Sequence, residues 1–594
     1  MIAVSFDNLP GFLHPAAGDI GVVMCSAQGF EELCGRKDWR LLAGRIAALG
    51  VPVLRFDYAG TGDAPGSDAD PARLQAWADS LRAAIRFMQR EMGTSRIVLA
   101  GLRLGATLAA LVAQDTPGIE GYIALNPVVS GRAYARELAV MAQVIAQVPG
   151  TAPLADGVEV AGFATTSATM AAIKTLDMPN LPRPPAPFVL LCLPQGGPAT
   201  DKLARHWEEL GSEVTCAGFP FYLDWMSDPT MTRHPVEAFA SVIEWVGKTI
   251  VPRMAPRQNL PVAFPTPRID GAGFIEEPVR IGADGEAFGI LCSPRRAMSG
   301  APTLVFANSG RNYHIGWGGS TLAMARQLAV EGIASLRIDV AGIGDSPDIA
   351  GRDPQVMYSA EPVSDFSAAL DFLESRGLGR FCAVGLCSGA HLCFHSALRD
   401  DRIEQVMMVN LQKFIWRAGD SLEIAMRESY RSTNFYKRSL TRADTWKRLL
   451  RGEIRMGGIA RAVLRRISRR VLDKAAVFGG SACNEGAQVR AGMRRLSKRG
   501  TKVLLAYSDN DGGIDELALH FGSGDRWLAA YPGVQLKYIT GADHNLTPPD
   551  ARSQYAALLA DFVASQMVTP LAAPVPVAVE LQADPGDTAR MRAA

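Results

Sequence analysis

An internal repeat constrains the fold of this chain more than any other sequence feature. Residues 324–348 read MARQLAVEGIASLRIDVAGIGDSPD, and they repeat residues 42–66, which read LAGRIAALGVPVLRFDYAGTGDAPG. Asp57 and Asp339 occupy equivalent positions in these two stretches. Because self-similarity over this distance marks a duplicated structural unit, the repeat predicts two tandem domains that share one plan.

Each unit alternates apolar strands with amphipathic helices. A helix, a short apolar strand and a glycine-rich loop are followed by another helix and by a strand that enters a glycine-flanked turn. This alternation predicts an α/β fold in which a mostly parallel sheet has helices on both faces. We expect a first domain at 1–250, a proline-rich linker at 251–270, a second domain at 271–568 and a disordered tail at 569–594.

Composition and charge exclude several classes of protein. The chain has 594 residues, of which 48% are hydrophobic and 20% charged, and its formal net charge is +1. A nearly neutral chain lacks the basic character of nucleic-acid-binding proteins, so we expect no nucleic-acid partner. The nine cysteines show no C-x-x-C pairs, the N-terminal segment has no signal-peptide pattern, and no apolar stretch is long enough to cross a bilayer. We expect a cytoplasmic protein with neither a metal nor a cofactor.

The glycine-flanked turn of each unit has an unusual central residue. The second unit contains VGLCSGAHL with Cys387 at the centre, and the first contains LAGLRLGATLA with Arg103 there. A sharp strand-to-helix turn holds its central residue in a strained backbone conformation, and the flanking glycines let neighbouring segments approach closely. A cysteine at such a helix N-terminus is a competent nucleophile. The alternative interpretation is that Cys387 is an inert core residue.

Both halves resemble the α/β-hydrolase fold superfamily, over nearly the whole chain except the linker and the tail. In the second half the resemblance is carried, in chain order, by FANSGRNYHIGWGG, RIDVAGIGDS, GLCSG, LLAYSDNDGG and TGADHNLTPP. The GLCSG turn lies between an apolar strand and a helix of small residues, which is the context that gives this motif its meaning. The second half is also similar to hydrolases associated with bacterial polysaccharide export clusters.

The resemblance implies a catalytic triad of Cys387, Asp511 and His544. In this superfamily the acid follows the strand that corresponds to TKVLLAYS, at the position of Asp511, and Asp509 is the alternative acid. His544 follows the next strand-like run, VQLKYIT, which is where the general base of the superfamily lies. The chain order of nucleophile, acid and base agrees with that of α/β hydrolases.

The resemblance also implies an oxyanion hole built from backbone N–H groups. One donor is Ser388, which follows the nucleophile. The other is Arg311, in the loop after PTLVFA, where Gly310 permits the turn. His314 lies in the same loop and is, with Gly310, a candidate pocket residue.

The first half aligns with the second but lacks all three catalytic roles. Arg103 takes the nucleophile position, Gly197 takes the place of Asp511, and residues 222–224 replace the region around His544. A single substitution or a shifted alignment would not remove three roles together. We therefore expect a degenerate first domain that supports, covers or helps to bind.

A basic segment of the second half is expected to form a helical cap over the site, within about 412–500. Residues 412–475 contain 17 Lys and Arg against 6 Asp and Glu. Residues 458–472 read GIARAVLRRISRRVL, which predicts a helix with one apolar and one basic face. Such a helix fits an anionic membrane surface, an acidic acyl carrier protein or the phosphates of coenzyme A. The alternative is a solvated face packed on the core.

A cysteine nucleophile favours thioesters and activated esters as substrates, because a thiolate attacks them readily. We expect a hydrolase or acyltransferase that acts on a small-molecule acyl ester or thioester through an acyl-cysteine. Cysteine members of the fold that resemble dienelactone hydrolase or bile-acid acyltransferases are consistent with both outcomes. Two alternatives stay open: a non-catalytic binding or scaffold protein, and O-acyl transfer in bacterial surface polysaccharide biosynthesis.

Overall fold

The computed structural model describes residues 1–145, 154, 156–194, 198–257, 264–353, 355–417, 420–423 and 485–565. The basic helix predicted at 458–472, most of the predicted cap insert and the predicted tail at 569–594 lie outside these residues. No helix within the described ranges is long and apolar enough to span a membrane.

Strands and helices alternate along both halves of the chain. The strands of the first half are β1 (Ile2–Phe6), β2 (Leu9–His14), β3 (Ile20–Cys25), β4 (Val53–Phe56), β5 (Arg96–Leu102), β6 (Ile119–Leu125), β7 (Val158–Val160), β8 (Phe163–Thr165), β9 (Phe188–Leu193) and β10 (Glu213–Gly218). Those of the second half are β11 (Ile269–Asp270), β12 (Phe274–Ile281), β13 (Ala287–Pro294), β14 (Thr303–Phe306), β15 (Ser335–Asp339), β16 (Phe381–Leu386), β17 (Ile403–Val409), β18 (Lys502–Ser508) and β19 (Val534–Ile539). The helices are α1 (Phe30–Ala47), α2 (Arg73–Arg90), α3 (Leu104–Ala113), α4 (Gly131–Ile145), α5 (Ser167–Lys174), α6 (Pro198–Glu209), α7 (Tyr222–Trp225), α8 (Val236–Trp245), α9 (Ser320–Val330), α10 (Pro362–Ser375), α11 (Ser388–Arg399), α12 (Glu485–Arg499), α13 (Gly513–Phe521) and α14 (Pro549–Ala564).

The two large sheets have the same strand order. The first is ordered β1-β2-β4-β3-β5-β6-β9-β10, and the second is ordered β12-β13-β15-β14-β16-β17-β18-β19 with β11 added at its edge. In each sheet the second strand of this order is antiparallel to both neighbours, and the six strands beyond it are parallel. Helices α10, α11 and α12 pack on one face of the second sheet, and α9 and α14 pack on the other. The predicted fold class, two tandem mostly parallel sheets with helices on both faces, is confirmed.

The predicted linker contains ordered elements at both of its ends. Val251–Arg253 forms a helical turn that directly follows the last helical residues of the first domain. Ile269–Asp270 pairs with β12 as strand β11. Residues 258–263 lie outside the described ranges.

A buried carboxylate of the first domain reaches into the second. Asp63 accepts a hydrogen bond from Arg337 at 2.8 Å, and its other oxygen lies 2.6 Å from His314 Nε2. The second ring nitrogen of His314 lies 2.8 Å from Asp339. Burial opposes the imidazolium, but these two carboxylates outweigh it and raise the pKa of His314 to about 10. The sequence predicts His314 as a candidate pocket residue, whereas the structure places it between the domains with both ring nitrogens engaged.

The second domain makes the equivalent contact in return. Asp345 accepts hydrogen bonds at 2.8 and 2.9 Å from two buried arginines of the first domain, Arg55 and Arg36. Asp63 and Asp345 occupy matching positions, because the N–H of Asp63 donates to Asp57 at 3.0 Å and that of Asp345 donates to Asp339 at 3.0 Å. Asp57 and Asp339, which the repeat aligns, therefore close equivalent loops in the two domains by accepting these hydrogen bonds.

Replacing Asp345 with Asn should destabilise the fold strongly. The change removes a buried charge that Arg36 and Arg55 share, and leaving a buried cation without its partner costs about 3–5 kcal/mol. We expect the free energy of unfolding, measured by urea denaturation, to fall by that amount. The matched control is Asp348→Asn, because Asp348 is half-exposed and pairs with Lys37, so its loss should cost at most about 1 kcal/mol. Equal effects of the two changes would contradict this role of Asp345.

Candidate active site

Cys387 lies on a strained turn between β16 and α11. Its φ and ψ are 57° and −119°, a combination that residues other than glycine rarely adopt. Close packing requires the flanking glycines: a Cβ on Gly385 would come within 2.3 Å of the Gly389 backbone, and a Cβ on Gly389 would come within 2.5 Å of the Asn308 carbonyl oxygen. The turn therefore presents Cys387 at the carboxyl edge of the sheet, directly before the first turn of α11.

Three residues that the sequence predicts come together at this turn. His544 Nδ1 lies 2.6 Å from Asp511 Oδ2, and Cys387 is one of the groups whose electrostatic interaction acts on His544. All three residues are buried. Asp511 is held by the turn after β18, where its carboxylate accepts a hydrogen bond from the Gly513 N–H at 2.7 Å. The carboxylate of Asp509, the alternative acid, lies instead 3.2 Å from the side-chain amide of the next residue.

The neighbours of His544 stabilise its positive charge. Burial opposes this charge, but Asp511 and the sulfur of Cys387 outweigh burial and raise the pKa of His544 well above its usual range. Both neighbours therefore favour the protonated form of His544, and the positive end of α11 lies at the same turn.

Side chains that the sequence does not single out complete the surroundings of Cys387. The Tyr358 hydroxyl lies 3.9 Å from the Cys387 sulfur, and the Tyr358 ring stacks on Trp416 with centroids 4.6 Å apart. The Gln412 amide nitrogen lies 3.0 Å from His544 Nδ1. Tyr358 belongs to no recognisable motif, and its positive φ of 64° leaves no signal in the sequence. These residues form an aromatic and polar wall beside the nucleophile position.

The predicted oxyanion loop packs against the first domain. The Gly310 N–H donates to the Ser388 hydroxyl at 2.9 Å, and the Arg311 N–H donates to the Thr230 hydroxyl at 3.4 Å. Thr230 belongs to the first domain, and a Cβ on Gly310 would lie within 2.4 Å of its oxygen. The Ser388 N–H lies in the first turn of α11, where N–H groups have no intrahelical acceptor. Donation by Ser388 and Arg311 to a substrate oxygen stays a prediction, and Arg311 would have to leave Thr230 to provide it.

The first domain has the same turn with different contacts. Arg103 has φ and ψ of 53° and −122° between β5 and α3, close to the values at Cys387. Its buried guanidinium donates to Glu31 and to Glu137, both at 2.6 Å. The Tyr222 hydroxyl also donates to Glu31, at 3.1 Å. Gly197, which aligns with Asp511 of the second domain, lies outside the described residues.

Comparison with protein families finds a match in the first half of the chain. A family described as serine aminopeptidase, S33, matches residues 20–175, a range that includes the turn at Arg103. No curated protein matches the chain significantly.

Solved structures with similarity to this chain include α/β hydrolases and esterases. Est1E from Butyrivibrio proteoclasticus with bound ferulic acid is 15% identical, with a TM-score of 0.32 over 42% of this chain and 99% of that chain. The α/β hydrolase GrgF from Penicillium sp. sh18 is 17% identical, with a TM-score of 0.28 over 38% of this chain and 91% of that chain. The esterase Pf2001 from Pyrococcus furiosus is 14% identical, with a TM-score of 0.28 over 42% of this chain and 91% of that chain. Likenesses at this level carry no argument about activity, which has to come from the residues of the site.

Replacing Asp511 with Asn should lower the pKa of His544. The amide keeps the size of the side chain but removes the negative charge that stabilises the imidazolium, so His544 should lose its proton at a lower pH than in the unchanged protein. We expect this shift in a pH titration of isotope-labelled histidine followed by NMR, with His544→Gln assigning the signal. Asp509→Asn is the matched control and should leave the titration unchanged. A shift in that variant alone would make Asp509 the acid.

Proposed function

We propose that this protein is an acyl hydrolase or acyltransferase that acts on esters or thioesters through Cys387. The proposal depends on one observation, that His544 contacts Asp511 and interacts electrostatically with Cys387, which occupies a strained strand-to-helix turn. A nucleophile, a base that reaches it and an acid that orients the base are the parts that covalent acyl transfer requires. The match of the first domain to a serine aminopeptidase family supports a hydrolytic class.

In the first half-reaction the Cys387 thiolate attacks the carbonyl carbon of the substrate, and negative charge develops on the carbonyl oxygen. Backbone N–H groups of Ser388 and Arg311 stabilise this oxygen. The imidazolium of His544 then gives its proton to the leaving alkoxide or thiolate, which departs as an alcohol or a thiol. The acyl group remains on the sulfur of Cys387 as a thioester.

In the second half-reaction water or an acceptor hydroxyl gives a proton to His544 and attacks the acyl-cysteine. Water yields a carboxylic acid, an acceptor yields a new ester, and Cys387 leaves as a thiolate beside the restored imidazolium. Because the acyl-cysteine is itself a thioester, it lies close in free energy to a thioester donor. This favours acyl-CoA or an acyl carrier protein as the donor, and O-acyl transfer to a polysaccharide hydroxyl stays an alternative.

Loss of Cys387 or His544 should abolish turnover. We expect Cys387→Ala and His544→Ala each to lower kcat for a p-nitrophenyl ester or an acyl-CoA by roughly a thousandfold or more. The double variant should be little worse than either single one, because members of a triad act as a unit, and Asp511→Asn should lose less. An unchanged kcat in Cys387→Ala would overturn the proposal.

Covalent labelling distinguishes an enzyme from a binding protein that uses the same fold. Intact-mass spectrometry of the native protein with an acyl thioester should show one acyl group, retained on the peptide that contains Cys387 and absent from Cys387→Ala. Cys216 is an exposed thiol and provides the control, since it should stay unlabelled at the same dose. Failure of Cys387 to form the adduct would favour the non-catalytic binding role.

We propose further that the first domain takes no part in the chemistry. Arg103→Ala should leave kcat, expressed per mole of folded protein, almost unchanged. The free energy of unfolding should nevertheless fall by about 3–5 kcal/mol, because the change leaves the buried Glu31 without its arginine. A selective loss of kcat in a protein of normal stability would instead show that the first domain enters the reaction.

A further inference from the structure

Tyr358 places a hydroxyl group beside the proposed nucleophile. Its oxygen lies 3.9 Å from the Cys387 sulfur, and both residues are buried. A neutral thiol is a weak acceptor, whereas a hydrogen bond to an ionised acceptor is shorter and stronger. Catalytic hydrogen bonds are often long in a protein without substrate and shorten in the course of the reaction. The contact therefore gives Tyr358 direct access to the reacting atom.

The backbone at Tyr358 would suit glycine better than tyrosine. Tyr358 has a φ of 64° and is the third residue of a turn that the Ser359 N–H closes by donating to the Val356 carbonyl oxygen at 3.4 Å. A positive φ is costly for a bulky residue, and such conformations concentrate at functional sites. The turn thus keeps a phenol at a position whose backbone favours the smallest residue, so contacts of the side chain have to offset the strain.

Two neighbouring rings fix the orientation of the Tyr358 ring. Trp416 stacks on it with centroids 4.6 Å apart and planes 9° apart, and His391 of α11 meets it at 78° with centroids 5.1 Å apart. His391 is itself held by the Lys413 carbonyl oxygen, which lies 2.9 Å from its Nδ1. A side chain that is locked by packing holds its polar group in one position. The Tyr358 hydroxyl is therefore ready to donate as charge develops on the sulfur.

The surroundings of Tyr358 keep the proton on its oxygen. Burial raises the pKa of the Tyr358 hydroxyl well above its usual range. The neighbouring groups Cys387, Glu516 and Asp511 act in the same direction. His391 adds no positive charge at neutral pH, because burial lowers its pKa to about 3. A phenol that keeps its proton beside a sulfur that loses one has to be the donor of the pair.

We propose that Tyr358 is a further catalytic residue, which donates a hydrogen bond from its hydroxyl to the Cys387 sulfur and stabilises the thiolate. This role rests on the proposed function, since it serves acyl transfer through Cys387. When the thiol proton passes to His544, the O–H of Tyr358 donates to a lone pair of the sulfur, and the proton stays on the tyrosine oxygen. The hydrogen bond weakens while the sulfur carries the acyl group and strengthens again as Cys387 leaves. A stabilised thiolate is also the better leaving group.

The first experiment measures the ionisation of Cys387 by NMR in the full chain, labelled with carbon-13 at the cysteine β-carbons. Cys387→Ala assigns the signal, which reports the conversion of thiol to thiolate with pH. Tyr358→Phe keeps the ring and removes the donor, so the midpoint of this conversion should rise by about one pH unit. Tyr555→Phe is the matched control and should leave the midpoint unchanged, because Tyr555 is buried in α14, on the face of the sheet opposite α11.

A stronger donor at the same position should act in the opposite direction. Replacing Tyr358 with 3-fluorotyrosine keeps the ring and the hydroxyl but makes the O–H more acidic, so the midpoint should fall below that of the unchanged protein. A side chain that only packs would not produce opposite shifts in the two variants. An unchanged midpoint in Tyr358→Phe, or shifts of the same sign in both variants, would overturn the role of Tyr358.

The second experiment connects the hydrogen bond to turnover of a p-nitrophenyl ester. In Tyr358→Phe, kcat should fall about tenfold near neutral pH, and the part of the pH profile in which the rate rises with pH should move up together with the NMR midpoint. Tyr555→Phe should keep the profile of the unchanged protein. An unmoved profile despite a shifted midpoint would overturn the catalytic role of Tyr358. Failure of the proposed function gives a different result, full activity in Cys387→Ala, and the NMR measurement needs no substrate.

Discussion

The positive-φ turn at Cys387 is the constraint on which the rest of the candidate site depends. A backbone of this kind costs about 1–3 kcal/mol for a residue with a Cβ, and it persists because β16 and α11 hold it from both sides. The glycines two residues before and after it remove the clashes that any side chain would bring. The turn thus determines the position of Cys387, the proposed nucleophile, and His544 and Asp511 approach it from later parts of the chain.

The two domains depend on each other through buried charges. Asp63 and Asp345 each reach into the other domain and pair there with two basic side chains. The partners of Asp63 are His314 and Arg337, and those of Asp345 are Arg36 and Arg55. Because a buried charge that loses a partner is costly, a second domain without the first would leave Arg337 with Glu276 alone and His314 with Asp339 alone. The first domain therefore supports the second structurally, and its Thr230 extends this support to the predicted oxyanion loop.

Much of the second-domain site can be predicted from the sequence because its determinants are local. The Gly-x-Cys-x-Gly spacing specifies the turn, and a parallel sheet brings the loops after β16, β18 and β19 to one edge, where Cys387, Asp511 and His544 meet. The choice between Asp509 and Asp511 needs the geometry of the turn after β18, which two neighbouring aspartates in a sequence do not reveal. Contacts between domains are harder still, since nothing around His314 shows which carboxylate of the other half will approach it.

Family resemblance and candidate chemistry lie in different halves of this chain. The serine aminopeptidase family matches residues 20–175, a range whose turn carries Arg103, while Cys387 and its partners lie in the second half. The glycines of such a turn meet steric requirements that do not depend on the side chain at its centre, so both domains keep them although one has Arg103 there and the other Cys387. Similarity of fold therefore does not decide function, which depends on individual side-chain contacts. In the first domain the central residue is an arginine paired with Glu31, and in the second it is a cysteine that interacts with a histidine in contact with Asp511.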